Sequence, residues 1–484
     1  MNRPLFKNVE DAEKFIKEQF GDGESFDVGI KDMHIWSMPC LMTYMNGLID
    51  PTMLTQLLTR TQPTINQVRR RSELDEVEAM NTCFPYHSVT SYDSKDAWIS
   101  AILSGQLGIV TSQGFVFTID IRSYPGRQPE EPDNEKVIRG SRDGFTENIL
   151  QNTALIRRRI RDVSLKFELV KISTRGETDT AIAFIKGLAS EEHLDFIRKR
   201  MKKIQHDGMT MSDKSLEEWL FKQNFHPVPF VRYTERADTC AAHLLEGHIA
   251  IIVDTSPSVI LIPTTMFHHL QHAEEFRQAP LIGTFVRLAR MSGFLLSLIF
   301  LPFWYLLVKE SNHVPDFLSF IGPKETTDVP IFLQLIFADL GLEFLRLAAI
   351  HTPTPLSTAM GLVAAIIIGQ IAIDVGLFIP EVVLYTAISA IFTFAIPSYE
   401  LGVATKIFRN LLLIATAIFG GPGYFIGLLI LFMYLASIKP MGVPYLWPLV
   451  PFFPTAFSRI LIRFPMSSGA LRPFIVDSPN RKRS

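Results

Sequence analysis

The sequence predicts an α+β N-terminal region of two subdomains, on the cytoplasmic side, followed by an all-α polytopic membrane domain. Charge is the first observation behind this: 35 basic and 39 acidic residues lie in 1–290, but only 12 and 10 in 291–484. The second half is thus about 11% charged, against a globular norm of about 25%. Second, the uncharged windows 291–308, 352–373, 382–399 and 410–438 each reach the roughly 18 residues that make a membrane-helix candidate. Third, strand-like and helix-like periods alternate before residue 290, as in mixed α/β domains.

In the first subdomain, 1–133, extended runs at 107–111 and 115–120 flank Gln113 and Gly114, a hairpin signal. A Pro-rich stretch, 123–133, then reads as a linker or long loop. The second subdomain, 134–280, opens with a helix over 145–160. Strands over 165–172 and 178–185, a helix over 191–203, and strands over 249–253 and 259–262 follow. Ser215 with Glu218 resembles a capping box opening a further helix. Cys40, Cys83 and Cys240 stand singly, which suggests neither a disulfide framework nor a thiolate metal site.

The membrane domain spans 281–465 with five to six helical segments, and a basic tail occupies 466–484. The window 331–350 is apolar except for Gln334, Asp339, Glu343 and Arg346, whose charges share one face. Such a helix either lies in the interface or crosses with its charged stripe turned into protein. Glu343 and Arg346 are spaced to pair within the helix, which leaves Asp339 as the unmatched acid. In the next window Gly361, Ala365 and Gly369 form a small-residue packing stripe, with Gln370 and Asp374 pointing away from it. Gly420, Gly421, Pro422 and Gly423 interrupt the last window, as either a sharp bend or a hairpin of two short limbs. Arg277, Arg287 and Arg290 before the first span place the N-terminal region inside. The polar N-terminus lacks the apolar core of a secretory signal.

No GxSxG, phosphate-loop or dinucleotide fingerprint occurs, so the reading is not an enzyme and expects no cofactor. His268 and His272, with His269 between and Glu275 after, have ligand-like spacing. The sequence lacks the Glu beside the first His of a zinc-protease helix, however, and no metal is expected. The net charge of −2 and the lack of a basic patch interleaved with aromatics exclude nucleic acid as the partner. Arg157, Arg158, Arg159 and Arg161 read mainly as a solvated basic helix end.

The run Arg139, Gly140, Ser141, Arg142, Asp143, Gly144, Phe145, Thr146, Glu147, Asn148, continuing through Asn152 and Arg157 to Arg159, resembles the signature of A subunits of GerA-type spore germinant receptors. Thr234, Glu235, Arg236 and Asp238, then Val253, Asp254, Ser256 and Pro257, and later Gly361, Leu362, Val363 with Ile368, Gly369 and Gln370 are similar to further family blocks in order. The resemblance implies a multi-pass inner-spore-membrane protein acting in germination, with a two-part N-terminal domain in the spore core. It also implies a homo-oligomer, a pentameric ring, around a central ion pathway, working with membrane lipid and other germination membrane proteins. Asp339, Glu343 and Arg346 match polar positions of the receptor A subunits, and Gln370 and Asp374 join them as expected pathway residues. Gln334 stands where those receptors often carry glutamate, so conductance need not transfer. A non-conducting signalling or scaffold subunit is the alternative.

Overall fold

The computed structural model describes residues 3–35, 38–60, 80, 84, 88–123, 135–221, 225–311, 321–324, 328–351, 369–465, 472, 474–476 and 478. Gly361 and Ala365, Cys83, the Pro-rich stretch from 124 and most of the basic tail lie outside them. Contacts divide the chain into two units. The first comprises Met1–Asn224, Val231–Thr264 and Met466–Ser484, and the second Phe225–Phe230 and Thr265–Pro465.

The first unit holds two five-stranded sheets. In the first, strands β1 (Val28–Ile35), β2 (Met38–Met45), β3 (Val89–Ser91), β4 (Leu107–Val110) and β5 (Val116–Ile119) lie in the order β1-β2-β4-β5-β3, and every pairing is antiparallel. Alternation sends Leu41, Met45, Val110 and Val116 to one face, against helix α1 (Val9–Phe20) and the helix α3 (Lys95–Leu103). Cys40, Met42, Ile109 and Phe117 go to the other, against Leu57 of helix α2 (Pro51–Arg60).

The second sheet has the order β6-β7-β9-β10-β8, built from β6 (Leu165–Ile172), β7 (Thr178–Ile185), β8 (Arg232–Thr234), β9 (Ile249–Val253) and β10 (Val259–Ile262). Helix α4 (Ile149–Arg159) and the helix α7 (Ala237–Glu246) cover one face, joining Leu155, Ile156, Cys240 and Leu244 to Phe167, Ala183, Ile252 and Leu261. Helix α5 (Glu191–Met201) follows β7. Helix α6 begins at Ser212 and ends at Phe221, so Ser215 is not its cap. Ser215 sits in the first turn, where its Oγ accepts the Met211 N–H at 3.3 Å.

The second unit is helical. After the short helices α8 (Met266–Leu270) and α9 (Ala273–Arg277) come α10 (Pro280–Lys309), α11 (Ile331–His351), α12 (Pro380–Phe394), α13 (Tyr399–Ser437) and α14 (Pro454–Leu461). The expected helix over 382–399 ends earlier, at Phe394. Pro397 stops it, and Ser398 caps the next helix by accepting the Leu401 N–H.

Helix α13 is two helices, and its break is a hairpin. Gly420 has φ 64° and ψ −139°, a conformation open to glycine, and Pro422 follows without an N–H. Phe408 and Tyr434 meet edge to face with centroids 5.9 Å apart, whereas a straight helix would separate them by about 39 Å. A Cβ at Gly423 would lie 2.2 Å from the Ala415 carbonyl oxygen, so the limbs approach as closely as glycine permits. The first limb is not short. It starts at Tyr399 and runs about 30 Å, because Lys406 and Arg409 lie within the helix and not at its mouth.

This unit has an inverted surface. Phe285, Leu295, Phe337, Leu384, Leu411, Phe425 and Ile430 are exposed, whereas Ser297, Asp339, Thr386, Ser389, Thr393, Thr405 and Arg409 are buried. Polar inside and apolar outside suits lipid as the solvent.

Candidate functional site

The buried charges converge where α10, α11, α12 and the first limb of α13 meet. Arg409 Nη2 donates to Asp339 Oδ1 at 2.5 Å. Its Nη1 donates to Ser389 Oγ at 2.8 Å, to Thr393 Oγ1 at 3.2 Å and to the Ser297 carbonyl at 3.2 Å. Asn410 Nδ2 donates to Asp339 Oδ2 at 3.0 Å. One turn away, Lys406 Nζ donates to Glu343 Oε2 at 2.9 Å and to the Asp339 carbonyl at 3.0 Å, and lies 3.6 Å from Asp339 Oδ1.

The i, i+4 acids of α11 therefore face the i, i+3 cations of α13 across an antiparallel contact. Asp339 is not the unmatched acid that spacing within one helix implies, because Arg409 and Asn410 take both of its oxygens. Arg346 stays 4.0 Å from Glu343 and lies over the Tyr399 ring at 4.4 Å. The cluster holds three cations and two acids. Arg409 Nε and Asn410 Oδ1 have no partner among the described residues, so the network is not fully satisfied.

Gln334 is fully buried and uses both halves of its amide: Nε2 donates to the Val329 carbonyl at 2.8 Å, and Oε1 accepts the Ile379 N–H at 2.9 Å. Gln370 and Asp374 do not join the cluster; they contact each other at 3.4 Å on an exposed surface. At Gly369 an added Cβ meets nothing within 4 Å among the described residues.

Two charges hold the hairpin turn. Lys309 Nζ donates to the Thr416 and Ala417 carbonyls at 3.3 and 2.6 Å, while Glu310 Oε1 accepts the Gly421 N–H at 2.7 Å. The cation thus meets the C-terminus of one limb and the anion the N-terminus of the other, as their helix dipoles favour.

The histidines at ligand-like spacing do not share a helix face, because the chain breaks between α8 and α9. His268 Nδ1 accepts the Thr265 N–H at 3.1 Å, and His272 Nδ1 accepts the Glu274 N–H at 3.3 Å. Glu275 is buried between Arg287, at 2.8 Å, and Arg290.

In the first unit, three sequence blocks meet at the start of α4. Asn148 Oδ1 accepts the Leu150 and Gln151 N–H groups, and Asp254 Oδ1 accepts that of Ile149. Asn152 Oδ1 accepts the Thr146 N–H at 2.8 Å. The Glu147 carbonyl accepts from Thr255, and Phe145 N–H donates to the Glu235 carbonyl. Gly140 has φ 134°, just before Ser141, whose carbonyl accepts from Arg236 Nη2 at 2.7 Å. Arg159 bonds Asp143 at 2.5 Å, whereas Arg139 is exposed.

Arg157 is buried, contrary to the solvated-face reading. It reaches Asp27 Oδ2 at 2.8 Å and the carbonyls of Asp162 and Leu165 at 2.8 and 2.9 Å. Beside α7, burial and then the Arg232 charge hold His243 well below the usual histidine range, and burial first lowers His248 to about 4.

The family model for the Bacillus/Clostridium GerA spore germination protein matches residues 14–475. The chain belongs to the GerA family. It is 48% identical over 481 residues to stage V sporulation protein AF of Bacillus subtilis (strain 168), covering 99% of this chain and 97% of that protein. To spore germination protein KA of the same organism it is 28% identical over 488 residues, covering 99% and 88%. Among solved structures, the N-terminal domain of the A subunit of the Bacillus megaterium germinant receptor GerK3 matches with 26% identity and a TM-score of 0.42, over 54% of this chain and 97% of that one.

This GerA-family chain is a membrane-associated spore germination protein, and its signature in the first unit is a structural knot. The Arg157 and Asn152 side chains bond within the fold, whereas Glu147 contributes its backbone carbonyl and keeps an exposed side chain. Sequence reasoning missed Lys406, Arg409 and Asn410, whose signal was present as an i, i+3, i+4 polar stripe flanked by apolar residues.

Proposed function

We propose that this protein is a multi-pass inner-spore-membrane subunit of a homo-oligomeric, pentameric assembly that conducts ions early in germination, with the first unit in the spore core. The observation that carries this reading is the Asp339–Arg409–Lys406–Glu343 network buried inside an apolar-surfaced helix bundle. Ionised groups at membrane depth are costly and mark ion or water paths. Glu343, Arg346, Gln370 and Asp374 line the path, and Asp339 links it to the subunit interior. The stripe of Gly361, Ala365 and Gly369 packs one subunit on the next. Arg277, Arg287 and Arg290 ahead of the first span support the orientation.

A second reading has its own observation. Asp339 is only 1% exposed and spent on Arg409 and Asn410 of the same chain, which favours a non-conducting signalling or scaffold subunit that couples receptors to downstream channels. Potassium and sodium release from germinating spores carrying Asp339→Asn with Glu343→Gln separates the two, with oligomer size checked. Slowed release from an intact oligomer supports conduction; wild-type release, where a deletion is slow, supports the scaffold.

A further inference from the structure

Helix α10 is longer than its apolar span. Its 30 residues extend about 45 Å, against a hydrocarbon thickness of about 30 Å. The uncharged run 291–308 takes up about 27 Å of that, so the three turns over 280–290 project past the hydrocarbon. On those turns Arg287 points inward to Glu275, while Leu281 is 82% and Phe285 72% exposed. The segment 452–464 runs alongside. Arg287 Nη1 donates to the carbonyls of Arg459 and Ile460 at 3.0 and 3.1 Å, and the Arg463 N–H donates to Thr284 Oγ1 at 3.1 Å. That segment adds exposed Phe452, Phe453 and Phe464.

The charge of this collar is one-sided. No acidic residue occurs between Glu400 and Asp477, Lys439 and Arg459 are exposed, and Glu275 is enclosed by its two arginines. We propose that the collar docks on an anionic lipid leaflet, with Leu281, Phe285 and Phe453 at the level of the headgroups, and Lys439 and Arg459 on acidic phospholipid headgroups. Apolar side chains just beyond a span, rimmed by cations, are the pattern of interfacial segments. An isologous second copy would set two all-basic strips together, whereas an anionic leaflet supplies the opposite charge. The inference rests on the membrane embedding of this unit and not on ion conduction.

The test uses the full-length protein in nanodiscs of phosphatidylcholine, with and without phosphatidylglycerol. Nitroxide labels are placed singly at Leu281→Cys, Phe285→Cys and Phe453→Cys, with Ile430→Cys as a reference within the second hairpin limb. The collar labels should favour oxygen over a nickel chelate, at a shallower depth than the reference. Lipid retained after detergent extraction should be enriched severalfold in phosphatidylglycerol, and Lys439→Gln with Arg459→Gln should remove the enrichment. Collar labels open to the nickel chelate, or shielded from both reagents as in a protein contact, overturn the proposal if the reference label is lipid-exposed. Unchanged enrichment in the double variant also overturns it. A water-exposed reference label instead overturns the membrane embedding itself.

Discussion

Arg409 and Asp339, seventy positions apart, form an ion pair inside the helical unit with 2.5 Å between Nη2 and Oδ1. Each residue is almost fully shielded from the surroundings, so each depends on the other for its charge to be tolerated.

The pair should therefore behave non-additively. Arg409→Met or Asp339→Leu alone should destabilise the helical unit by about 3–5 kcal/mol, while the double variant recovers much of the loss. Thermal unfolding of the purified protein in detergent measures the cycle, and simple addition of the two losses would contradict it.

The same logic holds for Asp27 and Arg157 in the first unit, where the guanidinium also bonds two carbonyls. Asp27→Asn should cost a few kcal/mol and speed amide exchange in β6, whose Leu165 carbonyl the arginine holds. Wild-type exchange there would argue that the pair is dispensable.

Stability should fall on acidification. Burial holds His243 and His248 neutral in the fold, the latter with its pKa lowered to about 4, against about 6.5 for an ordinary histidine. Between those values the unfolded chain binds protons that the folded chain does not, so stability is full above about 6.5 and is lost as pH falls through that window. His248→Asn should flatten the pH dependence of the first unit's unfolding; an unchanged slope would remove His248 as its source.

The hairpin offers a paired comparison. A Cβ at Gly423 collides with the Ala415 carbonyl, whereas one at Gly341 in α11 meets nothing within 4 Å among the described residues. Gly423→Ala should lower the melting temperature and the yield of monodisperse protein, and Gly341→Ala should leave both unchanged or raised. Equal tolerance at the two sites would contradict the close limb contact.

What the sequence reveals depends on the range of the signal. The strands over 165–172, 178–185, 249–253 and 259–262 coincide with β6, β7, β9 and β10, because buried apolar runs between turns are local. The break at Gly420 to Gly423 was equally legible, since glycine and proline act where they stand. Ser215 misled because a serine three residues before a glutamate looks alike at a cap and within a first turn. Arg409, at the edge of the long apolar run 410–438, reads from sequence as an inside-facing flanking cation and not as a buried one. Only the packing of α11 on α13 brings it to Asp339, and no helical period carries a contact across seventy residues. Glu343 and Arg346 illustrate the converse: i, i+3 spacing permits their pairing, but the better-placed Lys406 takes the carboxylate.

Whether the network borders an ion path is tested by cation flux through the purified chain in liposomes. Potassium flux should depend on this protein and fall at least severalfold with Glu343→Gln and Asp339→Asn combined, at unchanged oligomer size. Flux that is absent from the wild type, or present and indifferent to both substitutions, would contradict it.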